Sequence, residues 1–186
     1  MTNPTDPLEF EHRAQWRSWL AQHHSTESEA WLIVYKKGYT DQGLALDEAV
    51  EEALCFGWID GILHRLDERR FTLRFSPRSK NSIWSISNIQ RVEKLISEGK
   101  MTPAGYQKIK DAKESGEWDS AIQREQVDII PEDLESELRK QAGAISAYQA
   151  LPDSQKKRYI YWLQTAKREE TKQRRIQKIV QEVLEQ

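Results

Sequence analysis

A chain of 186 residues with a formal net charge of -2 and 38% hydrophobic residues is long enough to bury a core, and it reads as soluble, helix-rich and polar-surfaced. A pI near 6.1 argues against a general binder of nucleic-acid backbones, and a single cysteine excludes an internal disulfide or a cysteine-built metal cluster. The opening MTNPTDPLEFEHR lacks the apolar core of a signal peptide and no run has the length of a membrane span, so a cytoplasmic location is expected.

Residues 1–7, with two prolines, read as a disordered lead-in, followed by an α+β domain over 8–120. A helix is expected over 10–22, carrying Trp16, Trp19 and Leu20. The run WLIVY at 31–35 is β-branched and aromatic and predicts a central strand. Asp47 is placed to cap the next helix, whose Ala49, Val50, Ala53 and Leu54 recur at helical spacing. Cys55 falls on that apolar side as an inert buried thiol, and Gly57 is a left-handed cap. Two strands, 58–66 and 70–75, join across a polar hairpin at 67–69. Phe71, Leu73 and Phe75 alternate with Arg70, Thr72 and Arg74, giving one apolar and one basic face. Pairing symmetric about Glu68 sets Arg74 opposite Ile62 and diagonal to Asp60 on one face. Pro77 ends the strand, Ser82 serves as the N-cap of a helix over 83–98, and Gly99 terminates it. On that helix Ile83, Ile86, Ile89, Val92 and Ile96 point to the core, with Trp84, Asn88, Arg91 and Leu95 on the opposite side.

Thr102-Pro103 starts another helix that runs to Gly116. A helical segment over 121–186 follows and is expected to pack on the first domain. Leu134 and Leu138 mark a short helix and Gly143 separates it from the next. Pro152-Asp153 opens a long one burying Tyr159, Ile160, Trp162 and Leu163, then Ile176, Ile179, Val180 and Val183. The apolar-free KREETKQRR at 167–175 predicts a bend or a break, with Thr171 as a new cap and Glu170–Arg174 as a helical ion pair. The fold class is α+β: a small antiparallel or mixed sheet with packed helices, then a helical C-terminal segment.

Chemistry-bearing residues concentrate between 55 and 95. Over 65–80, Arg65, Arg69, Arg70, Arg74, Arg78 and Lys80 face only Asp67 and Glu68, a local excess of four positive charges. Asp60 with Arg74 reads either as an ion pair pinning the hairpin or as an arginine oriented toward an anion. Arg78, Ser82 and a helix start at 83 extend the anion reading. Trp84, Asn88 and Arg91 would complete a cleft with an indole, an amide and a second guanidinium. His64 is placed as a general base near the basic face. His23-His24 lacks a third ligand at metal spacing, so no metal is expected. No G-x-G-x-x-G, P-loop or nucleophile elbow is present, and no cofactor is expected.

Several of these pieces together resemble the bacteriocin-protection, YdeI or OmpD-associated family of bacterial proteins. They are WLIVYKKG, LDEAVEEALCFGWIDG, RFSPRSKNSIWS followed by Asn88, EGKMTPAG and AKREETKQRR, spanning about residues 8–184. The resemblance implies a role in envelope stress or bacteriocin tolerance and names no reaction, ligand or catalytic residue. Three readings stay open. The leading one is a cytoplasmic protein binding a small anionic or nucleotide-like ligand through Asp60, Arg74, Arg78, Ser82, Trp84, Asn88 and Arg91. The second is an enzyme using Asp60 or His64 as base, with arginines holding substrate. The third is an interaction module that docks a protein partner on its C-terminal helix.

Overall fold

Residues with little helix preference form strand β1 (Ala30–Tyr35). The structure, a computed structural model, describes residues 6–80 and 82–185, so most of the expected lead-in lies outside the described residues. β1 pairs antiparallel with β3 (Arg70–Pro77), which pairs antiparallel with β2 (Trp58–Arg65), giving the order β1-β3-β2. The WLIVY run is therefore an edge strand, not the expected central one. Its free edge is closed by short parallel bridges, Leu8 to Leu32 and Tyr35 to Ala45, which explains why Leu32 and Val34 are fully buried there. Pro77 stays within β3, opposite Trp58 at the strand end, where a missing donor is tolerated.

The central strand turns Phe71, Leu73 and Phe75 toward helices α1 (Arg13–His23) and α2 (Leu46–Cys55). Trp16 on α1 is wholly buried, 5.6 Å from the Phe75 ring, and its indole N–H donates to the Ala49 carbonyl of α2 at 3.1 Å. Trp58 is buried as well, its ring 6.0 Å from that of Trp19, and it donates to the His24 carbonyl at 3.1 Å. Asp47 does not cap α2: the N-cap is Ala45, whose N–H is accepted by Glu48 at 3.4 Å. Gly57 ends the helix at φ 75°, a conformation that disfavours any side chain, and donates to the Leu54 carbonyl.

Helices α3 (Ile86–Ser97) and α4 (Pro103–Glu114) pack on α2. α4 approaches so closely that a Cβ on Gly105 would stand 2.4 Å from the Cys55 carbonyl oxygen. Thr102, the cap of α4, donates its hydroxyl to that same carbonyl at 2.6 Å. Cys55 is thereby sealed, and burial pushes its thiol above the ordinary range. Labelling of the native chain by a thiol reagent at neutral pH is expected to run on the order of a hundredfold slower than in denaturant. Equal rates in the two conditions would contradict the sealing.

α3 begins three residues later than its sequence suggests. Its cap is Ser85, whose Oγ accepts from the Asn88 N–H at 3.3 Å. The buried stripe is Asn88, Ile89, Val92 and Leu95, while Ile83 and Ile96 are exposed. A face drawn by helical angle from residue 83 fails because 82–84 are not helical. α5 (Glu117–Gln123) follows.

The chain divides into two compact units, Met1–Asp119 and Ser120–Gln186. The second is built from α6 (Glu132–Arg139), α7 (Ala144–Ala150), α8 (Asp153–Gln164) and α9 (Glu169–Leu184). Leu134, Leu138, Tyr148, Tyr159, Leu163, Ile176 and Ile179 form its core. Trp162 is only partly buried, with Arg175 and Lys178 over its ring. Of the bend or break expected there, the chain makes a break, and α9 starts after Arg168, not at Thr171. Arg175 reaches back to the Thr165 hydroxyl and to the Trp162 carbonyl, which also accepts from that hydroxyl, so the end of α8 is closed by side chains. In place of a Glu170–Arg174 pair, Gln173 donates to Glu169 at 2.8 Å.

Burial, with Tyr159 nearby, pushes the Tyr148 phenol up to about 12. The folded chain then keeps this proton after the unfolded chain has lost it, so the group's contribution is complete below about pH 10 and disappears between about pH 10 and 12. Tyr148→Phe is expected to flatten the alkaline fall in denaturation midpoint across that window. An unchanged slope would contradict the assignment.

Candidate functional site

Arg78 follows β3 directly, and its backbone N–H donates to the Gly57 carbonyl at 2.9 Å, which fixes where its side chain leaves the sheet. The guanidinium is 2% exposed. Its carbon lies 3.9 Å from the centre of the Trp84 ring, and Nη1 donates to the Ile83 carbonyl at 3.2 Å. Nε and Nη2 make no hydrogen bond among the described residues. Burial lowers this group to about 10, against the opposing field of Asp60, so it remains cationic at neutral pH. A buried cation with donors unmatched is costly unless something compensates it. Here the compensation is one carbonyl, an aromatic face and a nearby carboxylate.

Trp84 is buried on a non-helical segment ahead of α3. Trp118 lies 5.3 Å away at 51°, with the Lys113 ammonium 5.1 Å from the Trp118 ring centre. The order Arg78, Trp84, Trp118, Lys113 sets two adjacent indoles between two cations, with a cation–π contact at each end and an aromatic pair between them. Trp118 and Lys113 were not foreseen as neighbours of this group, because nothing in local spacing connects residue 118 to residue 84.

The remaining expected site residues disperse. Ser82 is not a cap: its Oγ accepts from the Ser79 N–H at 2.9 Å inside a turn, and no helix N-terminus stands at 83. Residues 82–84 are not helical, the helix start moves to the Ser85 cap, and the anticipated dipole site at 83 is absent. Arg74 pairs with Glu29 at 3.4 Å, not with Asp60, and its Nε is buried without a hydrogen bond. The cause is a bulge. Leu63 pairs with Leu73, but Asp60 pairs with Phe75, so the register slips one residue between them and Asp60 turns to the opposite face from Arg74. Asn88 and Arg91 bond one another at 3.1 Å, and Arg91 continues to Asp47 at 2.6 Å, bracing α3 on α2. His64 lies opposite Thr72 with its ring 5.2 Å from Trp31. That is the opposite face from Asp60, so the two do not form an acid–base pair.

Sequence reading missed a second charged cluster. Glu52, 2% exposed, accepts from Arg13 at 2.8 Å and from Arg17 at 2.7 Å. The four-residue spacing of Arg13 and Arg17 along one helix face is the signal that could have found it. Elsewhere the hairpin basicity is answered locally: Arg70 pairs with Asp67 at 2.9 Å, and Lys36 donates to the carbonyls of Asp67 and Glu68.

The apolar stripe of α9 lies in the core of its own unit, with Leu184 half exposed at its end, so it offers no continuous docking face. Among the described residues no helix is long and apolar enough to cross a membrane.

Residues 8–108, just over half of the chain, match the family model described as Domain of unknown function (DUF8412). Residues 129–186 match the model described as Bacteriocin-protection, YdeI or OmpD-Associated. The resemblance expected along 8–184 thus divides, with FGWIDG, SPRS and SIWS in the first match and KREETKQRR in the second. No curated protein and no solved structure matches.

Proposed function

The chain belongs to the family described as Domain of unknown function (DUF8412), and because that description names no chemistry we propose, from the residues themselves, that it binds a small anionic ligand on Arg78. The observation that carries this reading is a 2% exposed guanidinium whose Nε and Nη2 lack hydrogen bonds. Those two N–H groups lie on one edge of the fork, the edge that takes a carboxylate or phosphate in bidentate fashion. Trp84 is occupied by Arg78 and flanked by Trp118, so the anionic half of the expected ligand is better supported than a stacked, nucleotide-like ring. A role in bacteriocin tolerance is supported by the description of the C-terminal match. Nothing in the geometry favours the general-base enzyme or the helix-docking module over this reading.

Arg78→Met tests it, because methionine keeps an unbranched apolar stem and removes the charge. A thermal-shift series of wild type against inorganic phosphate, citrate and nucleoside monophosphates should contain a stabilising anion, worth about 2.7 kcal/mol at a hundredfold its Kd. The variant should fold with equal or greater stability and lose that response. If no anion shifts the wild type, and Arg78→Met is several kcal/mol less stable, Arg78 is structural and the proposal fails.

A further inference from the structure

Strand β2 is an edge of the sheet, and among the described residues no strand or bridge pairs with its outer side. Its eight residues, WIDGILHR, contain no proline and no lysine, the residues that commonly blunt such an edge. Ile62 and Leu63 in its middle are 46% and 54% exposed. One charge flanks this apolar pair on each side. The side chains of Asp60 and Arg65 make no hydrogen bond or ion pair among the described residues, and Asp60 acts on Arg78 only through its field. The slip between Asp60 and Leu63 sets these two charges on one face. Asp60 pairs with Phe75 and Arg65 with Phe71, and both phenylalanines turn toward the helices. In an unbroken strand, residues five apart point to opposite faces.

We infer that a second copy of this chain pairs antiparallel with the outer edge of β2, joining two three-stranded sheets into one of six strands. A two-fold axis between Ile62 and Leu63 sets Asp60 of each copy opposite Arg65 of the other, with Ile62 opposite Leu63. The pairing is isologous, so each contact occurs twice. Residues opposed across an antiparallel pair must share a face, and this register meets that condition on both faces. Asp60 and Arg65 meet on the helix face. Gly61, beside the Arg74 side chain, meets His64, beside Thr72, on the other. Sliding the register by two residues sets Asp60 against Leu63 in one direction and against Asp67 in the other, so charge selects the first arrangement. A slip of one residue would oppose side chains of different faces. Bulges ordinarily disrupt edge pairing. Here the bulge is what makes the strand complementary to itself, because without it Asp60 and Arg65 could not share a face. The pairing uses β2 alone and is independent of ligand binding at Arg78.

Sedimentation equilibrium of the full chain across roughly 1 μM to 1 mM, the range of a small interface, should show the mass rising from 21.8 kDa toward twice that value. Arg65→Asp, at an exposed position, should fold as wild type does and weaken self-association by about tenfold or more, because two attractive pairs become repulsive. Asp60→Arg should do the same. An equimolar mixture of the two variants should associate as wild type does, since the two arginines of one chain then face the two aspartates of the other. Should Asp60→Arg fail to fold, Ile62→Lys takes its place, because it brings two ammonium groups together at the axis and should weaken association about as much. Wild type that stays monomeric at the highest concentration overturns the second copy as occupant, whether the edge stays bare or takes another protein's strand. A dimer left equally tight by Arg65→Asp and Ile62→Lys is built on another surface and overturns the strand pairing. Loss in both charge variants without recovery in their mixture overturns the register.

Discussion

Trp16→Ala is expected to cost about 3–5 kcal/mol, the range for truncating a fully buried aromatic. Trp16 is wholly buried, and its ring lies 5.2 to 5.7 Å from those of Phe10, Trp19 and Phe75. Its indole also supplies the hydrogen bond to Ala49 that ties α1 to α2. A typical domain has only about 5–15 kcal/mol in hand, so the first unit should approach half-unfolding in mild denaturant. Trp16→Phe should cost less, because it leaves most of the aromatic contact and removes chiefly the N–H. Equilibrium denaturation by tryptophan fluorescence reads both variants. A Trp16→Ala loss below about 1 kcal/mol would show that the α1–α2–sheet interface does not depend on this ring.

The second large effect is expected at Glu52. Its carboxylate is almost wholly enclosed, whereas Arg13 and Arg17 are each about one-third exposed. The consequences of substitution are therefore asymmetric. Removing both arginines, as Arg13→Met with Arg17→Met, leaves a buried carboxylate unpaired and should cost about 3–5 kcal/mol. Removing either one alone should cost clearly less, since the other still pairs. Adding Glu52→Leu to the double variant should recover most of the loss, because an apolar trio of similar volume carries no desolvation penalty. Chemical denaturation across these variants forms the cycle. A triple variant no more stable than the double would mean that packing, not the stranded charge, sets the cost.

The two clusters explain why parts of this molecule were legible in the sequence and parts were not. Element identity followed local chemistry: the strand character of 31–35, the Thr102-Pro103 start, the Gly57 and Gly99 stops and the break near 167–175 are each set by residues adjacent in sequence. The α+β class and the hairpin follow from the same short-range signals. Cys55 belongs with them, since its place on an apolar helix side foretells its burial.

What the tertiary structure alone decided depends on residues far apart. Periodicity cannot say which strand is central, because Leu8 and Ala45 must first cover the edge of β1. A one-residue bulge between Asp60 and Leu63 turns Asp60 away from Arg74, and no pairing rule read from the turn reveals a slip further along the ladder. Ser82 is as good a cap by composition as Ser85. The choice between them goes with Trp84, which is buried against Arg78 and Trp118 from the non-helical stretch 82–84. Composition showed that arginine and tryptophan are dense between 55 and 95. The folded chain gives Arg91 and Arg74 to Asp47 and Glu29 and leaves Arg78 buried with unmatched donors, because partner choice for a long charged side chain is made by whatever carboxylate the packed helices bring within reach.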